Sequence, residues 1–456
     1  MKNSAGLSIV LSLAAILALA LAACSSPTNH AAPISPGLYS SSDLSGWLSN
    51  LEGALASSDP TDEKIVESIQ SGLGAYVTAG RGSTPSTVTP QSLSYSSSFS
   101  DGTNSVSWPA LSGLVLMPTA ASLTKASVPL IAVQHGTQLY RSSAPSRFNP
   151  SLLLLRTSPD QSGAGENYVE CVIAAYMATA GYIVVMPDYP GFGDDAGSHP
   201  YVHSSLGPVV RDAAKAAIAL ARGSAWKDTV SWNGQVFLFG YSEGGYATLV
   251  GARAAQADSS LGLTAAVPAD GPYDLSGTMA QLIASKAPEL YPYYAPYLFV
   301  GYHSIYGDSV YSYSSVFEGS YDMSLPPLFD GTHTAIDIAA VMTDQVPADY
   351  LTSQALAGLT STTNAIYQTL MANDAYRAWT PTGRILFLHC PTDDVVPYAN
   401  MTVAYQYLHA LAPNNVEEQD IQPVDVADKA AEVHTRGLPN AALAALQYID
   451  SLSRAR

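Results

Sequence analysis

One serine in the chain is fenced by glycines on both sides: Gly240-Tyr241-Ser242-Glu243-Gly244-Gly245 follows the apolar run Val236–Phe239 and leads into a small-residue stretch from Tyr246 onward. GxSxG between a buried strand and a helix describes a sharp turn strained at the serine, with glycines where a side chain would strike a neighbouring strand or helix. Such a turn lifts the Ser242 Oγ clear of the sheet edge and sets it at a helix N-terminus. The chemistry this suits is attack on an acyl carbon. A serine hydroxyl alone is a weak nucleophile, so the reading requires a base to take its proton, an acid to orient the base, and N–H donors for the oxyanion. An ordinary glycine-rich strand-to-helix turn would look the same over these six residues, so the partners decide.

Downstream, the apolar run Arg384–Leu388 ends on His389-Cys390-Pro391-Thr392-Asp393-Asp394-Val395-Val396-Pro397. Asp393 and Asp394 are rival acids, and either could instead cap the helical segment starting near Tyr398. Two histidines follow them. His409 lies inside the amphipathic pattern TVAYQYLHAL and fits a packed or surface position; His434, in EVHTRGLP, stands just before the last helix, expected over Pro439–Leu452, where a loop could carry a base to the serine. One oxyanion donor is the N–H of Glu243, the residue after the serine. The second is the N–H of Gly136 or Thr137 in IAVQHGTQ, where Gly136 permits close approach; His135 is assigned no side-chain role. His199 and His203 share an i, i+4 spacing that could suit a metal on a helix, but Pro200 between them and the lack of an acidic partner argue against it, and the chemistry requires no metal or cofactor.

These residues need a scaffold, and the sequence rhythm indicates one. Short continuous apolar runs at Pro129–Val133, Gly181–Met186, Gln235–Phe239, Leu263–Val267 and Arg384–Leu388 alternate with longer helical patterns, which is what parallel strands covered on both faces require. The class is α/β with a mostly parallel central sheet flanked by helices. Before this core, period-2 segments at Leu93–Phe99 and Gly113–Met117 predict two exposed antiparallel strands. Between Leu275 and Thr380 the strand rhythm stops, and nine tyrosines fall between Tyr291 and Tyr321. An insertion of that length is a mainly helical subdomain rather than a loop. Tyrosine suits surfaces apolar on one side and wet on the other, so the insertion is expected as a cap lining a substrate cavity.

Four segments in order, QHGT, MPDYPGFG with HPY, GYSEGG, and HCPTDDVVP with the later His434, resemble the α/β-hydrolase superfamily. Within it, Asp188–Gly193 with His199-Pro200-Tyr201 and a helix containing Arg211-Asp212-Ala213 resembles the secretory lipase family, from about Ser92 to the C-terminus and excluding the cap. The resemblance implies an α/β-hydrolase fold with a helical cap, and hydrolysis of carboxylic esters, acylglycerols included, through an acyl-enzyme on Ser242. It puts Asp393 at the acid position of an HGxxDxxVP segment, with Cys390 in place of the glycine, and His434 as the base in the order serine, acid, histidine.

The 456 residues carry 19 Lys and Arg against 37 Asp and Glu, a formal charge of −18, with no visible basic patch, which argues against a nucleic-acid binder. Lys2 precedes an apolar run from Ala5 to Ala23, and Leu21-Ala22-Ala23-Cys24 resembles a bacterial lipobox, implying export and diacylation at Cys24; Ser25 after it leans towards an outer membrane. The expected organisation is a signal peptide over 1–23, a tether and small helical extension over 24–88 with helices at Ser42–Ser57 and Asp59–Gly72, core over 89–274, cap over 275–380 and core over 381–456. Cys171 and Cys390 could pair, but one falls inside a helix and the other just past a strand, which favours two unpaired thiols and leaves the pairing open. Two rival functions stay open. A serine exopeptidase on the same fold would need buried carboxylates to grip an ammonium group, for which the cap offers Asp308, Glu318 and Asp322; a non-catalytic envelope binding protein would reuse the shell alone.

Overall fold

The computed structural model describes residues 60–79, 87–119, 126–148, 168–427 and 429–453, with residues 40, 43, 44 and 46 besides. Cys24, the segments read as signal and tether, and nearly all of the helix expected over 42–57 lie outside the described residues.

Eight strands form one sheet in the order β1-β2-β4-β3-β5-β6-β7-β8. They are β1 Thr87–Ser100, β2 Ser105–Thr119, β3 Ala126–Gln134, β4 Ile183–Pro187, β5 Val230–Tyr241, β6 Leu263–Ala269, β7 Arg384–His389 and β8 Val416–Asp420. β1, β2 and β4 pair antiparallel, and the remainder of the sheet is parallel. This is the α/β-hydrolase fold.

Strand alternation splits the interior into two cores. Leu130, Ala132, Val236 and Leu238 face one side, with helices α3 (Leu206–Arg222), α4 (Glu243–Gln256) and α6 (Ala399–Leu411) packed on it. Ile131, Val133, Phe237 and Phe239 face the other, under α2 (Tyr168–Thr179) and α7 (Val433–Ser453). Because both faces are covered, the strands read as unbroken apolar runs. The helix α1 (Pro60–Ser68) joins the second core through Ile65 and Val66.

Two local expectations are corrected, and one strand is added. β2 is an interior strand rather than an exposed one, since β4 pairs on its far side and Leu114–Met117 are buried. β8, VEEQD, adds an edge strand that carries one buried residue, Val416, and four exposed polar ones, so it has no apolar signature. α7 begins at Val433 rather than Pro439; Pro439 sits in its second turn, where its missing N–H forgoes a single bond to the Thr435 carbonyl.

Residues 275–380 hold helices and 3-10 turns, the longest being α5 (Tyr294–Tyr306), and add no strand to the sheet.

Candidate active site

Parallel strands deliver their C-terminal ends to one edge of the sheet, and there the residues singled out by sequence meet. β5 stops at Tyr241, α4 starts at Glu243, and Ser242 between them has φ 61° and ψ −125°. A non-glycine residue at positive φ is strained, and here the neighbouring strands enforce it. The Ser242 N–H donates to the Ala269 carbonyl of β6 at 3.0 Å. On the other flank, a Cβ at Gly244 would stand 2.8 Å from the carbonyl carbon of Gln134 at the end of β3. The fence of glycines is therefore the clearance between β5 and the strands on either side.

Ser242 Oγ lies 2.9 Å from His434 Nε2, and His434 Nδ1 lies 2.6 Å from Asp393 Oδ2. His434 stands in the first turn of α7 rather than in a preceding loop. The Asp393 carboxylate is buried, and its other oxygen accepts the N–H groups of Val395 and Val396 at 2.9 and 2.8 Å. Burial alone would raise its pKa, but the charge interaction and hydrogen bond with His434, with His389 beyond, hold it down at about 2. The rival Asp394 is exposed and accepts the backbone N–H of His434 at 3.1 Å, so it shapes the loop without touching the ring. The rival His409 spends its Nδ1 on the Val416 carbonyl at 2.9 Å. Tyr241, which the sequence did not single out, donates its hydroxyl to the His434 carbonyl and packs its ring 5.2 Å from the imidazole.

Of the oxyanion candidates, Glu243 opens α4, so its N–H is among the first-turn donors that have no partner within the helix. Gly136 differs from expectation. Its N–H is donated to Glu170 Oε1 at 2.9 Å, so of the two alternatives the Thr137 N–H is the remaining candidate. Burial pushes Glu170 up to about 8, with the Glu243 charge adding to it.

The Glu243 side chain is buried behind the serine, where Oε1 meets His199 Nε2 at 2.7 Å and accepts the Val202 N–H at 3.3 Å. His199 Nδ1 donates to the Pro190 carbonyl at 3.0 Å. The HPY motif thus braces the first helical residue after Ser242. His203 faces elsewhere, with Nε2 2.9 Å from the Tyr306 hydroxyl and Nδ1 accepting the Ser205 N–H. Tyr201 of the same motif places its hydroxyl 3.1 Å from that of Thr137 and stacks at 4.4 Å on Tyr297 of α5. Tyr297 stacks in turn on Phe329 and donates to the Gln138 carbonyl. The tyrosine-rich insertion is therefore fastened directly to the loop that carries Thr137.

Cys171 and Cys390 are both buried and free. Among the described residues, Asp270, Asp393 and His434 form the grouping with metal-like spacing, their ligand atoms lying within 4.8 Å of one another. The His434 and Asp393 side chains are already engaged with each other.

Solved structures share this architecture. A hydrolase from Legionella pneumophila is 26% identical with a TM-score of 0.65, covering 81% of this chain and 90% of its own. The rice cell wall degrading esterase LipA from Xanthomonas oryzae is 22% identical with a TM-score of 0.66, covering 83% and 95%. Candida antarctica lipase A, in its closed state, is 16% identical with a TM-score of 0.52, covering 75% and 73%. Among curated proteins, no sequence matches. The family model Hydrolase_4, described as serine aminopeptidase S33, matches residues 163–413, more than half of the 456 residues, and the chain belongs to that family of α/β-hydrolases.

Proposed function

We propose that the protein is a carboxylic ester hydrolase working through an acyl-enzyme on Ser242. The observation that carries this reading is the continuous chain from Ser242 Oγ through His434 to Asp393, with contacts of 2.9 and 2.6 Å. His434 Nε2 takes the Ser242 proton as Oγ bonds to the acyl carbon. The Glu243 and Thr137 N–H groups receive the oxyanion. Collapse breaks the acyl–oxygen bond and the leaving alcohol takes the proton back from Nε2; water then repeats the sequence and frees the acid. Asp393 accepts the Nδ1–H bond throughout, fixing the tautomer that leaves Nε2 free to act as base.

The family description favours a second reading, cleavage of an N-terminal residue from a peptide. Several features support the ester instead. Of the cap carboxylates, Asp308 is exposed and pairs with His303, Glu318 is exposed, and Asp322 is half-buried. Glu243 is committed to His199, and Glu170, with a value of about 8, is largely uncharged at neutral pH. The named esterase and lipase relatives share the fold. The test is a p-nitrophenyl ester series from acetate to palmitate beside a panel of aminoacyl p-nitroanilides: ester turnover exceeding anilide turnover by orders of magnitude is expected, and preferred anilide cleavage would replace the ester reading with the peptidase one.

The same proposal includes export and a diacyl anchor at Cys24 in a bacterial envelope, supported by the lipobox-like Leu21-Ala22-Ala23-Cys24. Globomycin-sensitive processing and membrane recovery lost in Cys24→Ala are expected; a Cys24→Ala protein that fractionates like the parent would overturn it.

A further inference from the structure

Asp270 is a buried carboxyl that the chemistry above does not use. It follows β6 directly, at φ 44°, a left-handed position that aspartate and asparagine tolerate better than other side chains. Since β6 pairs with β7, Asp270 rises beside the loop that carries Asp393; its N–H donates to the Leu388 carbonyl at 3.0 Å and its Oδ1 accepts the Cys390 N–H at 2.9 Å. Its carboxyl lies within 4.8 Å of both the Asp393 carboxylate and the His434 ring. Oδ2 is buried and no donor reaches it.

Two ionised carboxylates this close, both shut away from water, need a cation between them. The groups facing Asp270 do not supply one. His389 Nε2 is 3.6 Å from Asp270 Oδ1 and from Asp393 Oδ2, too far for a hydrogen bond, and gives its proton to the Val396 carbonyl at 2.9 Å; burial pushes its pKa down to about 4, so the ring is neutral. Tyr241 from β5, Tyr273 and Cys390 are held neutral by burial, and Tyr241 gives its proton to the His434 carbonyl. The shared proton belongs on Asp270, because Asp393 accepts three hydrogen bonds from N–H groups and Asp270 accepts one.

We propose that Asp270 is a positioning residue that carries a proton in the resting enzyme and hydrogen-bonds the Asp393 carboxylate, so that a single negative charge faces His434. This rests on the reading of Asp393 and His434 as acid and base. A second charge beside the ring would favour the imidazolium and silence the base at neutral pH. A neutral Asp270 instead steadies Asp393 without adding charge beside the ring and leaves the base free.

The test compares Asp270→Asn and Asp270→Ala by kcat/KM against pH on an ester. Asparagine keeps a neutral donor and suits the left-handed backbone, so a plateau within about threefold and an acid limb within about 0.3 units of the parent are expected. Alanine removes the donor; an acid limb raised by about one unit with a plateau about tenfold lower is expected. If Asp270 were ionised, Asp270→Asn would delete a charge and lower the acid limb by about two units, overturning the proposal. An Asp270→Asn protein that does not fold at neutral pH also overturns it, because a neutral isostere should replace a neutral acid. Infrared difference spectra of ¹³C-aspartate-labelled parent and Asp270→Asn provide a readout independent of turnover. A neutral carboxyl C=O band lost in the variant supports the proposal even if no ester is cleaved, and its absence from the difference overturns it.

Discussion

Gly244→Ala probes how tightly the Ser242 turn is held against the loop that carries Thr137. A methyl at this position would meet backbone, 2.8 Å from the Gln134 carbonyl carbon and 2.9 Å from the His135 oxygen, and closer still to the Gln134 oxygen. Neither wall is a flexible side chain, so β3 and α4 must part by roughly 1 Å to restore ordinary contact. The residues that retreat are those leading into Gly136 and Thr137, and a shift of that size between a nucleophile and its oxyanion donors costs about 10²-fold in kcat. Overpacking adds about 1–3 kcal/mol of destabilisation. Gly136→Ala is the steric control on the same loop, since its Cβ would lie 3.4 Å from Glu170 Oε1, 3.5 Å from the Tyr241 oxygen and 3.7 Å from Ser242 Cβ, all ordinary contacts. Steady-state kinetics on an ester, with thermal melts of both variants, should give a kcat loss near 10²-fold for Gly244→Ala and less than about tenfold for Gly136→Ala. A folded Gly244→Ala enzyme retaining more than about a tenth of parental kcat would refute the reasoning from backbone clearance.

Three further outcomes are expected. Asp393→Asn should lower kcat by about 10³- to 10⁴-fold by freeing the wrong imidazole tautomer, while Asp394→Asn, which touches the backbone of His434 alone, should cost less than about tenfold; equal losses would contradict the assignment. Glu170 has a folded value of about 8 against an ordinary 4.5, so folding takes up a proton and stability falls as pH rises between the two; Glu170→Gln should flatten that stretch of the Tm-versus-pH curve, and an unchanged slope would count against it. With Cys171 and Cys390 free and buried, dithiothreitol should leave Tm unchanged and neither thiol should react with iodoacetamide until the protein unfolds.

What was legible in the sequence followed from burial. The five parallel strands near the site are covered on both faces, so each wrote an apolar run; β8, half of a solvent-facing edge, wrote VEEQD and went unread. Ser242 and Asp393 follow such runs and His434 lies in the first turn of the last helix; order along the chain nominated Ser242 and His434, and the family resemblance was needed to choose Asp393 over Asp394. Pro439 misled the start of α7, because proline is a helix-start signal whether it occupies the first turn or, as here, the second. The fate of the Gly136 N–H was invisible, since it depends on Glu170 arriving from a helix 34 residues away. The braces are likewise long-range: His199 to Glu243 spans 44 residues and Asp270 to the Cys390 N–H spans 120. Asp270 did leave one local trace, an acid ending the apolar run Ala265–Ala269 at a strand terminus facing the site.

The most direct test of Ser242 as nucleophile is covalent capture. The full chain and its Ser242→Ala and His434→Ala variants are treated with a fluorophosphonate and the modified peptide is located by mass spectrometry. One equivalent on the peptide containing Ser242, none in Ser242→Ala and a strongly slowed reaction in His434→Ala is the expected result. Labelling that persists in a folded Ser242→Ala protein, or a folded parent that takes up no probe, would contradict acyl transfer through Ser242.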